Sequence, residues 1–217
     1  MKPKEGRIKE LLRERGLDGA IVSSPENFHY VTGFGGHQHT VSRQPGFTLA
    51  VMRSDDKAPT HITTMDFEAA TFRIKSAGLG FVVHPYDTWV GLKTWPEISQ
   101  GAVLPDKTRM ESSADKLEQF VKACDLADKR IGVEMDYLTV PYYNMICEKF
   151  PEAQLVDISD LFVYARSIKT EEEIKMFREL CRIADHGFTQ VSRMAGIGVS
   201  EKEMSDCFRE DVIKSGF

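Results

Sequence analysis

The sequence predicts a layered α/β fold, and three observations predict it. Segments with helical spacing alternate with short apolar, β-branched segments, turn residues separate the two kinds, and the chain changes character from Thr170 onward into two capped amphipathic helices.

Ile8, Leu11 and Leu12 form the apolar face of a first helix that Gly16 ends, and Gly19-Ala20-Ile21-Val22 reads as a short buried strand. Ser24-Pro25 supplies an N-cap and a first-turn proline for a brief helix through Tyr30, and Gly33-Phe34-Gly35-Gly36 reads as loop. Phe47 to Met52 predicts a strand, Asp55-Asp56-Lys57 a turn and Thr60 to Thr64 the hairpin partner. A helix over Phe67 to Ser76 leads to a strand at Phe81-Val82-Val83. Leu117, Phe120, Val121 and Cys124 mark a helix before the strand Arg130 to Glu134, and Pro141 suits the first turn of a helix running through Ile146. Leu155-Val156 is the last short strand. Thr170-x-x-Glu173 and Ser200-x-x-Glu203 are capping boxes, each opening a helix. In the first of these helices Ile174, Phe177, Cys181, Ala184, Phe188 and Val191 make one apolar stripe. Two such helices joined through Gly196 and Gly198 bury little alone and need a partner surface. The expected organisation is one domain over residues 1–160, and a linker with the first helices of a second over 161–217.

The 217 residues include 41% apolar and 28% charged side chains, the balance of a globular protein, and a net charge of −5 with no basic run disfavours a phosphate-backbone partner. No stretch approaches the ~20 apolar residues of a membrane span, and the charged start Met1-Lys2-Pro3-Lys4-Glu5 does not read as a signal peptide. Cys124, Cys147, Cys181 and Cys207 are widely spaced, which reads as reduced thiols in a cytoplasmic protein. They have no activating base at readable spacing, so no nucleophile is assigned.

Five segments taken in order resemble the creatinase/prolidase/aminopeptidase P family. They are Asp18-Gly19-Ala20-Ile21-Val22, Asn27-x-x-Tyr30-x-Thr32-Gly33-Phe34, Ile131-Gly132-Val133-Glu134-Met135-Asp136, Phe150-Pro151-Glu152-Ala153-Gln154-Leu155-Val156-Asp157, and Arg166-x-Ile168-Lys169-x-x-Glu172-Glu173-Ile174. The resemblance implies an N-terminal domain with a mixed β-sheet flanked by helices, followed by the first two helices of an incomplete pita-bread catalytic domain. It further implies an Xaa-Pro peptidase in which two divalent metals (manganese, cobalt or zinc), held by two Asp, one His and two Glu, generate hydroxide and polarise the scissile carbonyl. Those ligand positions would lie beyond Phe217, so this chain carries no metal and no catalytic residue on that reading. Creatinase-type members imply an amidinohydrolase on the same fold without metal, and some relatives bind peptides or histones without catalysis. A homodimer or higher homo-oligomer acting on proline-containing peptides is the partner expectation, with no nucleic acid or membrane.

Within the chain, Arg43 in Ser42-Arg43-Gln44-Pro45-Gly46-Phe47 resembles the creatinase-type arginine that reaches a neighbouring subunit's active site. There it would clamp a substrate carboxylate through two charge-assisted bonds, the alternative being a surface arginine in a turn. His37 and His39 follow the Gly-rich loop, and in an extended segment they share a face and a potential ligand. A metal needs a third protein ligand, and none is readable nearby, so loop histidines without bound metal are the simpler reading. Glu171, Glu172 and Glu173 are explained by the helix dipole. Asp185 and His186 point about 100° apart on a helix and make a poor dyad. Trp89, Trp95, Tyr86 and Pro85 read as an aromatic-rich loop.

Overall fold

The computed structural model describes residues 3–88, 94–101 and 111–216, and the chain folds as two compact units, residues 1–165 and 166–217. In the first unit, α1 (Glu5–Glu14) buries Ile8 and Leu12 one turn apart and stops before Gly16, whose φ of 63° suits a residue without a Cβ. Then come β1 (Gly19–Val22), α2 (Pro25–Thr32), α3 (His37–Ser42), β2 (Leu49–Arg53) and β3 (His61–Met65). These are followed by α4 (Asp66–Ser76), β4 (Val82–Tyr86), α5 (Trp95–Ser99), α6 (Ser113–Ala123), β5 (Arg130–Val133), α7 (Val140–Lys149), β6 (Gln154–Asp157) and α8 (Ser159–Ser167).

The six strands form one mixed sheet in the order β4-β3-β2-β1-β5-β6. β2 pairs antiparallel with both neighbours, and the other three pairings are parallel, so β2 alone runs against the rest. The carboxyl ends of five strands therefore meet at one edge of the sheet, together with the amino end of β2. Because Cβ atoms alternate across a strand, each strand serves two cores. Ala20, Val22, Ala50, Met52 and Ile62 pack under α1, α2, α4 and α8 through Ile8, Leu12, Phe28, Phe72 and Phe162. Ile21, Leu49, Val51, Ile131 and Val133 pack under α6 and α7 through Leu117, Phe120, Val121 and Ile146.

The strands, the hairpin and the longer helices lie where sequence periodicity places them. Three helices do not follow from it. The segment after Gly36 is the helix α3 rather than extended chain; α5 carries an exposed Trp95; and α8 buries Leu161, Phe162 and Ala165. Pro85 and Tyr86 belong to β4, not to a loop, and Trp89 lies outside the described residues.

The second unit contains α9 (Glu171–Met194) and α10 (Glu201–Lys214), each opened by its capping box. Glu173 accepts from the Thr170 N–H at 2.7 Å, and Glu203 from the Ser200 N–H at 2.8 Å. Gly187 lets the two helices approach: a Cβ there would sit 2.8 Å from the Phe208 ring, and Phe188 stacks obliquely on Phe208 at 5.0 Å. The apolar stripe of α9 is exposed at Phe177 and Phe188, 51% and 65%, as expected of helices that bury little alone.

At the middle of the sheet, a Cβ on Gly19 would run into the Met52 carbonyl oxygen and lie 2.7 Å from a Leu126 methyl. Backbone cannot give way there, so Gly19→Ala should lower stability by about 1–3 kcal/mol in urea denaturation. An unchanged midpoint would contradict the pairing of β1 with β2 as described.

Candidate functional site

The candidate residues gather around the corner where β1 turns into α2. Ser24 caps α2, its hydroxyl accepting from the Asn27 N–H at 3.4 Å, and Pro25 occupies the first turn. Glu134, the residue after β5, is fully buried beside this corner. Its carboxylate accepts from the Ser23 N–H, the Ser23 hydroxyl (3.1 Å), the Ser24 N–H (2.9 Å), the Ser24 hydroxyl (2.6 Å) and the Asn27 amide (2.5 Å). A carboxylate at a helix N-terminus with every lone pair used is the arrangement in which a buried charge is tolerated. At its far end α2 closes on Gly33 (φ 81°), while the Thr32 hydroxyl, with one proton to give, lies within reach of both the Phe28 and Phe34 carbonyls at 2.8 and 2.7 Å.

α3 folds back against this corner. His39 is 1% exposed, with its ring edge-on to Phe28 at 5.5 Å, and its Nε2 lies 2.8 Å from the Ser23 carbonyl. A carbonyl only accepts, so Nε2 carries the hydrogen. Nδ1 has no partner among the described residues, and a proton there would be stranded. Burial accordingly holds His39 below the ordinary histidine pKa. His37 is exposed and lines an open cleft with Glu26, His29, Gly36, Thr40 and Lys75. Because α3 is helical, residues two apart point away from each other, so His37 and His39 share no face. Arg43 ends α3 in the left-handed region (φ 51°), an exposed residue whose guanidinium forks onto both oxygens of Glu26. The Arg43 carbonyl accepts from the Tyr137 hydroxyl at 2.9 Å, which ties its backbone to the segment after β5.

Sequence reasoning missed two features of this unit. One is Glu134, a single acid at the end of an apolar strand. The other is the pair His61–His84, with Nδ1···Nε2 at 3.0 Å, ring centroids 5.2 Å apart and planes within 16°. These distances describe edge-on, nearly coplanar imidazoles in which one N–H donates to the other ring, so the two lone pairs do not converge on an ion. Burial lowers the pKa of both, and for His84 the second ring adds to the effect. Among the described residues no three His, Cys, Asp or Glu side chains are placed to hold a metal ion. The donor set of the described residues does not fit the two-metal centre implied for the family. Asp185 does not partner His186; instead His186 Nδ1 meets Asp211 of α10 at 2.7 Å.

A capped α2, the Thr32-Gly33 stop and the buried acid after β5 coincide with the family's recurring strings, and the family profile described as the Creatinase/Prolidase N-terminal domain matches residues 6–168. The chain belongs to this family. The uncharacterized peptidase YqhT of Bacillus subtilis is 28% identical over 196 residues, covering 90% of this chain and 44% of that protein. The Xaa-Pro dipeptidase of Lactobacillus delbrueckii subsp. lactis is 26% identical over 197 residues, covering 90% and 45%. The solved Xaa-Pro dipeptidase from Bacillus anthracis shares the fold with a TM-score of 0.68 at 21% identity, over 96% of this chain and 48% of that one. This creatinase/prolidase N-terminal chain thus spans less than half the length of these curated relatives. No helix among its described residues is long and apolar enough to cross a membrane.

The histidines give a pH dependence with a definite sign. His39, His61 and His84 all have folded pKa values below the unfolded value, so below about pH 6.5 the unfolded chain binds more protons. Their contribution is intact above that pH and is lost as pH falls. The urea midpoint should therefore drop between about pH 7 and pH 5, before the carboxylates titrate. A midpoint constant over that window would contradict the neutral state of the buried His39 and the half-buried His61 and His84.

Proposed function

We propose that this chain is the N-terminal, non-catalytic portion of an Xaa-Pro peptidase-like metallohydrolase of the cytoplasm, whose metal centre and catalytic groups belong to a second, pita-bread half. The observation that carries the reading is a creatinase/prolidase N-terminal match over residues 6–168 followed by a second unit that leaves Phe177, Leu180 and Phe188 of α9 exposed. Surface of that kind in a two-helix unit calls for a larger partner layer. The coverage of under half of each peptidase relative agrees with it. Four free cysteines suit a reducing compartment.

In the assembled homo-oligomer this domain shapes the substrate entrance. Arg43 and His37, both exposed at the ends of α3, are the residues offered to a proline-containing peptide, and His39 holds the corner beneath them. Arg43 reaches a substrate carboxylate by exchanging it for Glu26, since one guanidinium fork serves one carboxylate at a time.

The 217-residue chain, supplied with manganese and Xaa-Pro dipeptides, should show no hydrolysis, and turnover by it would contradict a non-catalytic role. In a protein joining this chain to its catalytic half, Arg43→Ala should lower kcat/KM by about tenfold, the scale of one charge-assisted contact. An unchanged kcat/KM would remove Arg43 from the substrate path.

A further inference from the structure

The sheet edge that carries the β1–α2 corner also opens, at the ends of β3 and β4, into a cavity of about 460 Å³ that none of the residues discussed so far explains. Crevices at the carboxyl ends of parallel strands are where α/β sheets receive ligands. Its walls are Phe47 before β2, Met65 at the end of β3, Phe67 in the first turn of α4 and Tyr86 at the end of β4. Phe67 is an aromatic ring left 50% exposed at the cavity.

The polar groups around this apolar space are unbalanced. Tyr86 spends its hydroxyl proton on the Phe47 carbonyl at 2.5 Å, and Thr88 spends its own on Asp66 at 2.6 Å. Ser112 donates both its N–H and its hydroxyl to Asp115. What these side chains still offer is lone pairs. Glu111 accepts from the Asp87 N–H at 3.0 Å and from Lys116 at 3.1 Å, which leaves further lone pairs on each carboxylate oxygen. Only the Gln38 amide retains donors among the polar lining groups described. Negative charge gathers behind the wall: Asp66 and Glu68 both act on the Tyr86 hydroxyl, which burial chiefly raises. Glu68 is 7% exposed, and while one of its oxygens accepts from the Gln38 N–H at 3.0 Å, the other has no partner among the described residues.

An acceptor-rich, donor-poor cavity with aromatic walls and carboxylates on the same side disfavours an anion and matches a cation that brings its own hydrogens. We infer that this cavity binds a protonated primary amine bearing an aromatic or branched aliphatic group. The apolar group packs among Phe47, Met65 and Phe67, and the ammonium donates to Glu111 and the Tyr86 oxygen. The amino terminus of a peptide that begins with a bulky residue and a free aralkylamine share this chemistry. The inference stands apart from the peptidase reading, since it needs neither Arg43 nor a catalytic half.

The test is calorimetric titration of the 217-residue chain at neutral pH with phenethylamine, phenethyl alcohol and phenylacetate, alongside a short peptide with amino-terminal phenylalanine in free and acetylated form. Saturable one-to-one binding of phenethylamine is expected, with the alcohol weaker by about tenfold or more and phenylacetate silent. Tighter binding of the free peptide than of the acetylated one points to a peptide amino terminus as the source. Equal affinity for both, with phenethylamine still binding, overturns that source and leaves the free amine. Phe67→Ala and Glu111→Gln, each checked for native circular dichroism, should each weaken phenethylamine by about fivefold or more. Binding of the alcohol or the carboxylate as tightly as the amine, full affinity in either folded variant, or no saturable binding of any amine overturns the proposal.

Discussion

The carboxylate of Glu134 is the group on which the rest of the first unit depends. It lies fully buried after β5 and accepts five hydrogen bonds from three residues of the β1–α2 corner. Each side of this contact requires the other. The carboxylate would be prohibitively costly without donors, and the Ser23 and Ser24 N–H groups that precede α2, with the Asn27 amide, would be stranded without it. The bond set joins two neighbouring parallel strands to the start of a helix, so it fixes the register of β1 against β5 and the direction in which α2 leaves the sheet. His39 then uses the Ser23 carbonyl of the same corner, which links α3, and with it His37 and Arg43, to the same group.

The strand directions set where several polar groups of the domain lie. With only β2 reversed, the carboxyl ends of the other strands deliver Ser23, Glu134, Met65 and Tyr86 to one edge of the sheet. The opposing faces are taken up by two apolar cores and offer little but packing. The start of α2, the buried Glu134 corner and the aromatic-walled cavity thus lie on one rim. That is the disposition expected of a domain whose work is done at an edge.

Most of this architecture is legible in the sequence, for reasons that can be stated residue by residue. α1, α6 and α9 carry apolar residues at three- and four-residue spacing, and Ser24, Thr170 and Ser200 announce helix starts through a side chain that later makes the bond. α3 was not legible: its six residues, His-Gln-His-Thr-Val-Ser, bury only His39, so no stripe exists to read. α8 was missed for a different reason. Its start is set by Asp157, which accepts from the Ser159 N–H and hydroxyl, a local turn with no capping-box signature.

The motif strings that carry the family resemblance turn out to be structural. Asn27 and Glu134 bond each other, Tyr30 donates to the Ala165 carbonyl at 3.0 Å, Thr32 and Gly33 end α2, and Glu173 caps α9. The site residues were less readable, because what decides them is tertiary. Arg43 meets Glu26 across seventeen positions and Glu134 meets Ser23 across 111. No local pattern encodes either.

The most direct measurement is the stability of Glu134→Ala by urea denaturation, compared with the unmodified chain at neutral pH. Removal of the carboxylate leaves several buried donors without acceptors, and the expected loss is about 3 kcal/mol or more. A loss under about 1 kcal/mol would show that water or a neighbouring group satisfies the corner equally well, and Glu134 would no longer be its organising group.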